Sequence, residues 1–130
     1  MTLVYIGAGL NIQPLRNYTN IKDFIYIDQR PFTNKNTNYY DNIIDDFCNI
    51  MKKEGFIIKL KNISFINSFY IEYQKNDIIL QYHFNSVFPK DCYGILKNKI
   101  IDVCILGDKS FLNYIEEFVN PHTHVVSYNV

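Results

Sequence analysis

The chain has 130 residues, enough for one domain that buries roughly two-thirds of its unfolded surface. Hydrophobic residues make up 48% and charged residues 20%, with thirteen basic side chains cancelling thirteen acidic ones. That neutral balance gives no general attraction to nucleic-acid backbones or anionic membranes, and no apolar run approaches the roughly 18 residues of a membrane span.

Taken in chain order, Leu3-Val4-Tyr5-Ile6 is a short apolar run that ends in Gly7-Ala8-Gly9. Four residues are too few for a helix, and a buried parallel strand ends this way where its backbone must come close to a ligand. Leu10 to Tyr18 predicts a helix of about two turns, with Asn11 or Gln13 as cap, Pro14 in the first turn and Asn17 to Asn20 as the stop. Its N-terminus would aim N–H groups at whatever lies over the glycines. A second apolar run, Phe24 to Ile27, closes on Asp28.

Arg30 to Asn38 holds Pro31 and three asparagines and predicts a loop. Tyr40, Ile43, Ile44, Phe47, Ile50 and Met51 then recur at steps of three and four, which predicts an amphipathic helix over Tyr39–Glu54 stopped by Gly55. Asp41, Asp45 and Asp46 fall early in it and Lys52 and Lys53 late, complementing the helix dipole.

Phe56 to Leu60 predicts a third strand. Phe69–Gln74 and Asp77–Phe84, rich in aromatic and β-branched residues on either side of Lys75-Asn76, predict an antiparallel hairpin. Pro89 to Gly94 is a turn region. Ile100 to Asp108 is another buried strand that ends in glycine and an acid. Ser110 is placed to cap a helix over Phe111–Val119, which Asn120-Pro121 ends, and His124–Val130 predicts a last strand. Alternating strands and helices predict an α/β fold: a single Rossmann-like domain over 1–130, with a mainly parallel sheet, flanking helices and the hairpin as an insertion.

Cys48, Cys92 and Cys104 are odd in number and form no Cys-x-x-Cys pair, so buried free thiols and a reducing compartment are expected. With a first strand that begins almost at once, no leader is expected and the localisation expected is cytoplasmic. The abundance of Asn, Ile, Lys and Tyr matches AT-rich codons, as in the genome of a large DNA virus or a protist; for a viral protein the compartment expected is the host cytoplasm. His122 and His124 share a strand face but have no carboxylate or cysteine cluster near them in sequence, so no metal site is expected.

The chemistry-bearing pattern lies at the strand ends. Gly7 and Gly9 end one strand, and Asp28 ends the next, twenty-one positions after Gly7. A glycine turn followed about 20 residues later by an acid is the nucleotide half of a Rossmann unit. Val4 to Asn11 resembles the first motif of class I S-adenosylmethionine-dependent methyltransferases, Tyr26-Ile27-Asp28 their acidic second-strand end, and Ile101 to Asp108 their fourth motif. The resemblance implies a cofactor site for S-adenosylmethionine at Gly7, Ala8, Gly9, Asn11, Asp28 and Gln29. Asp28 would accept from the ribose hydroxyls, Gln29 would touch ribose or adenine, and Asp108 would stand as the catalytic residue facing methyl group and acceptor.

The chain departs from that pattern in four ways. Asn11 stands where the family has a third small residue, Tyr5 where it has an acid, and no Asn/Asp-Pro-Pro-Tyr/Phe stretch occurs. The family's last antiparallel hairpin is also missing from the C-terminus. The last departure supports an alternative: a non-catalytic Rossmann-like module for binding or assembly, forming a homodimer through an unpaired C-terminal edge strand. NAD or another nucleotide-like ligand on the same turn is a third reading.

Overall fold

The computed structural model describes residues 1–28, 37–64, 68–84 and 86–127. The first half of the chain forms β1 (Thr2–Ile6), α1 (Gln13–Asn17), β2 (Asp23–Asp28), α2 (Thr37–Lys53) and β3 (Ile57–Ser64). The second half forms β4 (Ser68–Lys75), β5 (Ile78–Phe84), α3 (Tyr93–Leu96), β6 (Val103–Leu106), a 3-10 helix (Lys109–Tyr114) and β7 (His124–Ser127). Of the expected loop, residues 30–36 lie outside the described residues, and Thr37 and Asn38 already belong to α2. Residues 128–130 of the expected terminal strand also lie outside them.

The fold is α/β, built on a seven-stranded mixed sheet in the order β3-β4-β5-β2-β1-β6-β7 among the described residues. β5-β2, β2-β1, β1-β6 and β6-β7 pair in parallel, whereas β3-β4 and β4-β5 pair antiparallel. The central strands β1, β2 and β6 have a buried residue at nearly every position because both sheet faces are covered. On one face Leu3, Tyr5, Phe24, Tyr26, Tyr82 and Phe84 pack under Ile44, Phe47 and Met51 of α2. On the other, Val4, Ile6, Ile25, Ile27, Cys104 and Leu106 pack under Phe88, Cys92, Leu96 and Ile115.

The hairpin forms as expected, but the sheet places it differently. The third strand does not follow β2; β5 takes that position, and β3 is pushed to the edge. Burial explains the choice. Leu80, Tyr82 and Phe84 of β5 are fully buried, whereas Ile57 and Ile58 of β3 are 65% and 45% exposed. β3 also carries a register irregularity between Ile58 and Leu60, a feature suited to an edge.

α2 ends where Gly55 stands. Gly55 has φ +91°, its N–H donates to Lys52 O (3.0 Å) and the Phe56 N–H donates to Met51 O (2.9 Å), a Schellman closure. Its start differs from expectation: α2 begins at Thr37, so its first turn holds no acid, and only Lys52 and Lys53 complement the dipole.

Two further expectations are corrected after the hairpin. The strand expected over Ile100–Asp108 is paired only over Val103–Leu106, and Ile100 is exposed. The α-helix expected over Phe111–Val119 is a six-residue 3-10 helix followed by a turn, in which the Phe118 N–H donates to Ile115 O (2.8 Å). Phe111, Ile115, Phe118 and Val119 still reach the second core. Their spacing is common to both windings, so it did not distinguish them. α3, inside and just beyond the expected turn region, was not expected.

Among the described residues no helix is long and apolar enough to cross a membrane. The three cysteines are free; Cys92 and Cys104 are buried and Cys48 is half-buried.

Candidate functional site

β1 lies between β2 and β6, and the chain leaves it toward β2 and later returns on its other side at β6. The carboxyl ends of these strands, where the order reverses, form the crevice in which parallel sheets hold ligands. Gly7 and Gly107 meet there. The Gly7 N–H donates to Ile27 O (2.8 Å) and the Gly107 N–H donates to Ile6 O (2.7 Å). A Cβ on Gly107 would lie 2.4 Å from Gly7 O, and one on Gly7, already at φ +77°, would lie 3.1 Å from the Phe111 ring. These two glycines let two strand ends and an aromatic ring pack together.

Gly9 is held differently. Its backbone has φ +56°, a left-handed conformation that glycine adopts without steric cost. Its N–H donates to Asp28 Oδ2 at 2.6 Å, and its carbonyl accepts from the Tyr82 hydroxyl at 2.6 Å. Asp28 is only 4% exposed, and its own carbonyl accepts from the Ser86 N–H (3.1 Å). The parallel register Ile6↔Ile27 sets the end of β2 beside the turn that leaves β1, and so aims the carboxylate at Gly9.

Asn11 completes the turn. Its N–H donates to Ala8 O (3.1 Å), its Oδ1 accepts from the Gln13 N–H (3.0 Å), and its Nδ2 donates to the Tyr5 hydroxyl (3.0 Å). It thus covers the start of α1 from one position before the cap residue, Ile12. The buried Ala8 places its N–H 3.4 Å from Ile27 O. The amides of residues 7, 8, 9, 11 and 13 are therefore all committed within the protein.

Gly7, Ala8, Gly9, Asn11 and Asp28 come together in one cluster. Gln29 lies outside the described residues. Asp108 stands at the neighbouring strand end, exposed, with its Oδ1 accepting from the Ser110 N–H at 2.9 Å. It, and not Ser110, is the cap of the 3-10 helix. The Ser110 backbone amide, and then its hydroxyl, hold the Asp108 carboxyl below its ordinary range. Its carboxylate therefore faces its own turn and solvent. His122 and His124 are both exposed.

Sequence reasoning missed Tyr82, Tyr5 and Phe111. Tyr82 belongs to the hairpin, and only the β2–β5 register, Tyr26↔Tyr82, brings it to the turn. Tyr5, Tyr26 and Tyr82 occupy one row across three strands, with ring centroids 5.2 and 5.5 Å apart and edge-to-face. The alternation of buried residues along β5 was visible, but not the strand beside it.

Burial pushes the Cys92 and Cys104 thiols up to about 12, with Asp91 adding to the effect at Cys92, so neither offers a thiolate. Burial, and then the charge of Lys99, push His83 down to about 4, leaving it neutral at ordinary pH. Comparison with family models, with curated proteins and with solved structures finds no match for this chain.

Proposed function

We propose that the chain is a Rossmann-like domain that binds an adenosine-type ligand at the carboxyl ends of β1 and β2, with S-adenosylmethionine the ligand the sequence resemblance favours. The observation that carries this reading is the meeting of Asp28 with the glycine turn, 2.6 Å from the Gly9 N–H. The order β5-β2-β1-β6-β7, all in parallel, supports it, since it follows the 3-2-1-4-5 arrangement of dinucleotide-binding sheets. A carboxylate has about four acceptor positions on its two oxygens and can serve several donors at once, which is the chemistry a ribose diol calls for. Asp28 is 4% exposed, so ligand entry has to displace the atoms that cover it.

The residues fit the sugar of such a ligand better than its methionine end, because Phe111 already packs on Gly7. No methyl-transfer step follows from this packing. Asp108, exposed at the rim of the same crevice, is the group that would meet an acceptor.

Calorimetric titration with S-adenosylmethionine, S-adenosylhomocysteine and NAD, on wild type and on Asp28→Asn, tests the reading. Asn keeps an acceptor for the Gly9 N–H but loses the charge, so binding at least about tenfold weaker with the fold retained is expected. Absence of heat with all three ligands on wild type retires the proposal.

A second reading, a non-catalytic assembly module, is favoured by the internally committed turn amides. β7, at one edge of the sheet with His124 exposed, is the strand a second copy would extend. A monomer in light scattering at high concentration counts against it.

A further inference from the structure

We propose that Tyr82 is a positioning residue of this ligand site: with Asp28 it clamps both peptide planes around Gly9 and so fixes the turn against which the ligand's sugar rests. The inference rests on the ligand reading above and assigns a role to the hairpin, which that reading leaves as an insertion.

The Gly9 N–H lies in the peptide before its Cα and the Gly9 carbonyl in the peptide after it. Asp28 holds the first at 2.6 Å and Tyr82 holds the second at 2.6 Å. A glycine at φ +56° has wide conformational freedom when untethered. Two buried hydrogen bonds, one of them to a carboxylate, remove it.

The clamp is stiff because the Tyr82 ring cannot swing. It is 1% exposed, lies parallel to Phe84 at 4.0 Å, and meets Phe47 of α2 edge-on at 4.7 Å. Its hydroxyl position is set by the packing of β5 and α2, not by the turn. β5 also sits two strands from β1, so the hydroxyl reaches the turn from beyond β2. The hairpin therefore carries a part of the site, and the order of strands that puts β5 beside β2 is what delivers it.

The test compares Tyr82→Phe with Tyr73→Phe. Tyr73 is buried in the same aromatic core, and its hydroxyl lies 3.1 Å from Cys48 Sγ, away from the turn. Both variants lose one hydroxyl from that core, and both should lower Tm by a few degrees. Only Tyr82→Phe should raise the Kd for S-adenosylhomocysteine, by about tenfold. Amide exchange in the wild-type protein is the measurement that does not depend on a variant folding: the Gly9 amide should be protected as strongly as those of β1 and β2.

If wild type binds S-adenosylhomocysteine and Tyr82→Phe binds it within twofold, the positioning role is overturned and the ligand site stands. A Gly9 amide that exchanges as fast as that of exposed Leu10 also overturns the clamp. If wild type binds none of the adenosine ligands, the ligand site falls and the positioning role goes with it.

Discussion

The ends of β2 and β6 look alike in sequence and are used in opposite ways. Each follows four buried apolar residues, and each sets an acid against a glycine: Asp28 against Gly9, and Asp108 directly after Gly107. Asp28 ends a strand flanked by β1 and β5, is 4% exposed, and accepts from an amide nineteen residues away. Asp108 follows a strand whose chain turns at once into a 3-10 helix, and it accepts from an amide two residues away while open to solvent. Depth in the sheet, more than residue type, decides whether such an acid ties distant parts of the fold together or only caps its own turn.

The largest expected effect comes from the contact that joins the two strand ends. A methyl group on Gly107 would sit 2.4 Å from the Gly7 carbonyl oxygen, and backbone cannot move aside as a side chain does. Gly107→Ala is expected to lower unfolding free energy by about 3 kcal/mol, at the high end for overpacking, as read from a urea midpoint. Gly94→Ala is the control. A Cβ there meets nothing within 4 Å, and alanine is the better helix former, so the midpoint should stay or rise slightly.

Asp28→Ala comes next. It leaves the Gly9 N–H buried without its carboxylate, which costs about 2–3 kcal/mol in the same measurement. Asp28→Asn should recover most of that loss while still weakening an adenosine ligand. If Asp28→Ala is as stable as wild type, the carboxylate does not hold the turn, and the contrast with Asp108 collapses.

How much of this was legible follows from the range of the interactions involved. The run Leu3–Ile6, the glycine turn, Asp28 and the helix stop at Gly55 are local patterns, and each stands close to where the pattern put it. The hairpin too was legible, because its two arms are neighbours in sequence. The position of β5 beside β2 was not, since it depends on Tyr82 and Phe84 outcompeting the exposed face of β3 for the centre of the sheet. Tyr82 was missed for that reason. The helix expected over Phe111–Val119 failed for another: its apolar spacing suits either winding, and the carboxylate of Asp108 starts the tighter one. Within the site, Gly7 and Gly9 read as one motif but do different work, and only the neighbours of each distinguish packing from a held peptide.

His83 extends the contrast to a third strand. It lies on β5 in register with Ile27, its ring stacked on Tyr70 at 5.0 Å, and its Nε2 is buried with no hydrogen-bond partner among the described residues. Its pKa falls from the ordinary 6.5 to about 4, mainly because burial disfavours the charged ring. The unfolded chain therefore binds more protons than the folded one between those values. Stability contributed by the neutral ring is full above about pH 7 and is lost as pH falls toward 4, by about 2 kcal/mol at pH 5. His83→Phe keeps the stacking and removes the titration, so its midpoint should exceed that of wild type at pH 5 and change less between pH 5 and 7. Parallel pH profiles for the two proteins would place the acid sensitivity elsewhere.

The smallest effect belongs to Asp108. Its depressed carboxyl pKa keeps it ionised at neutral pH, so its cap is present there and is lost only on acidification below the ordinary carboxylate range. Asp108→Asn retains a good capping side chain, and the 3-10 helix it opens contains no buried residue, so the urea midpoint at pH 7 should match wild type. Asp108→Ala removes the cap but frays a surface turn; Phe111, half-buried on Gly7, is the route by which that fraying would reach the crevice. A substantial loss of stability in Asp108→Ala, comparable to that of Asp28→Ala, would mean that Phe111 locks the two strand ends together, and that the rim of the crevice is as much a part of the fold as its floor.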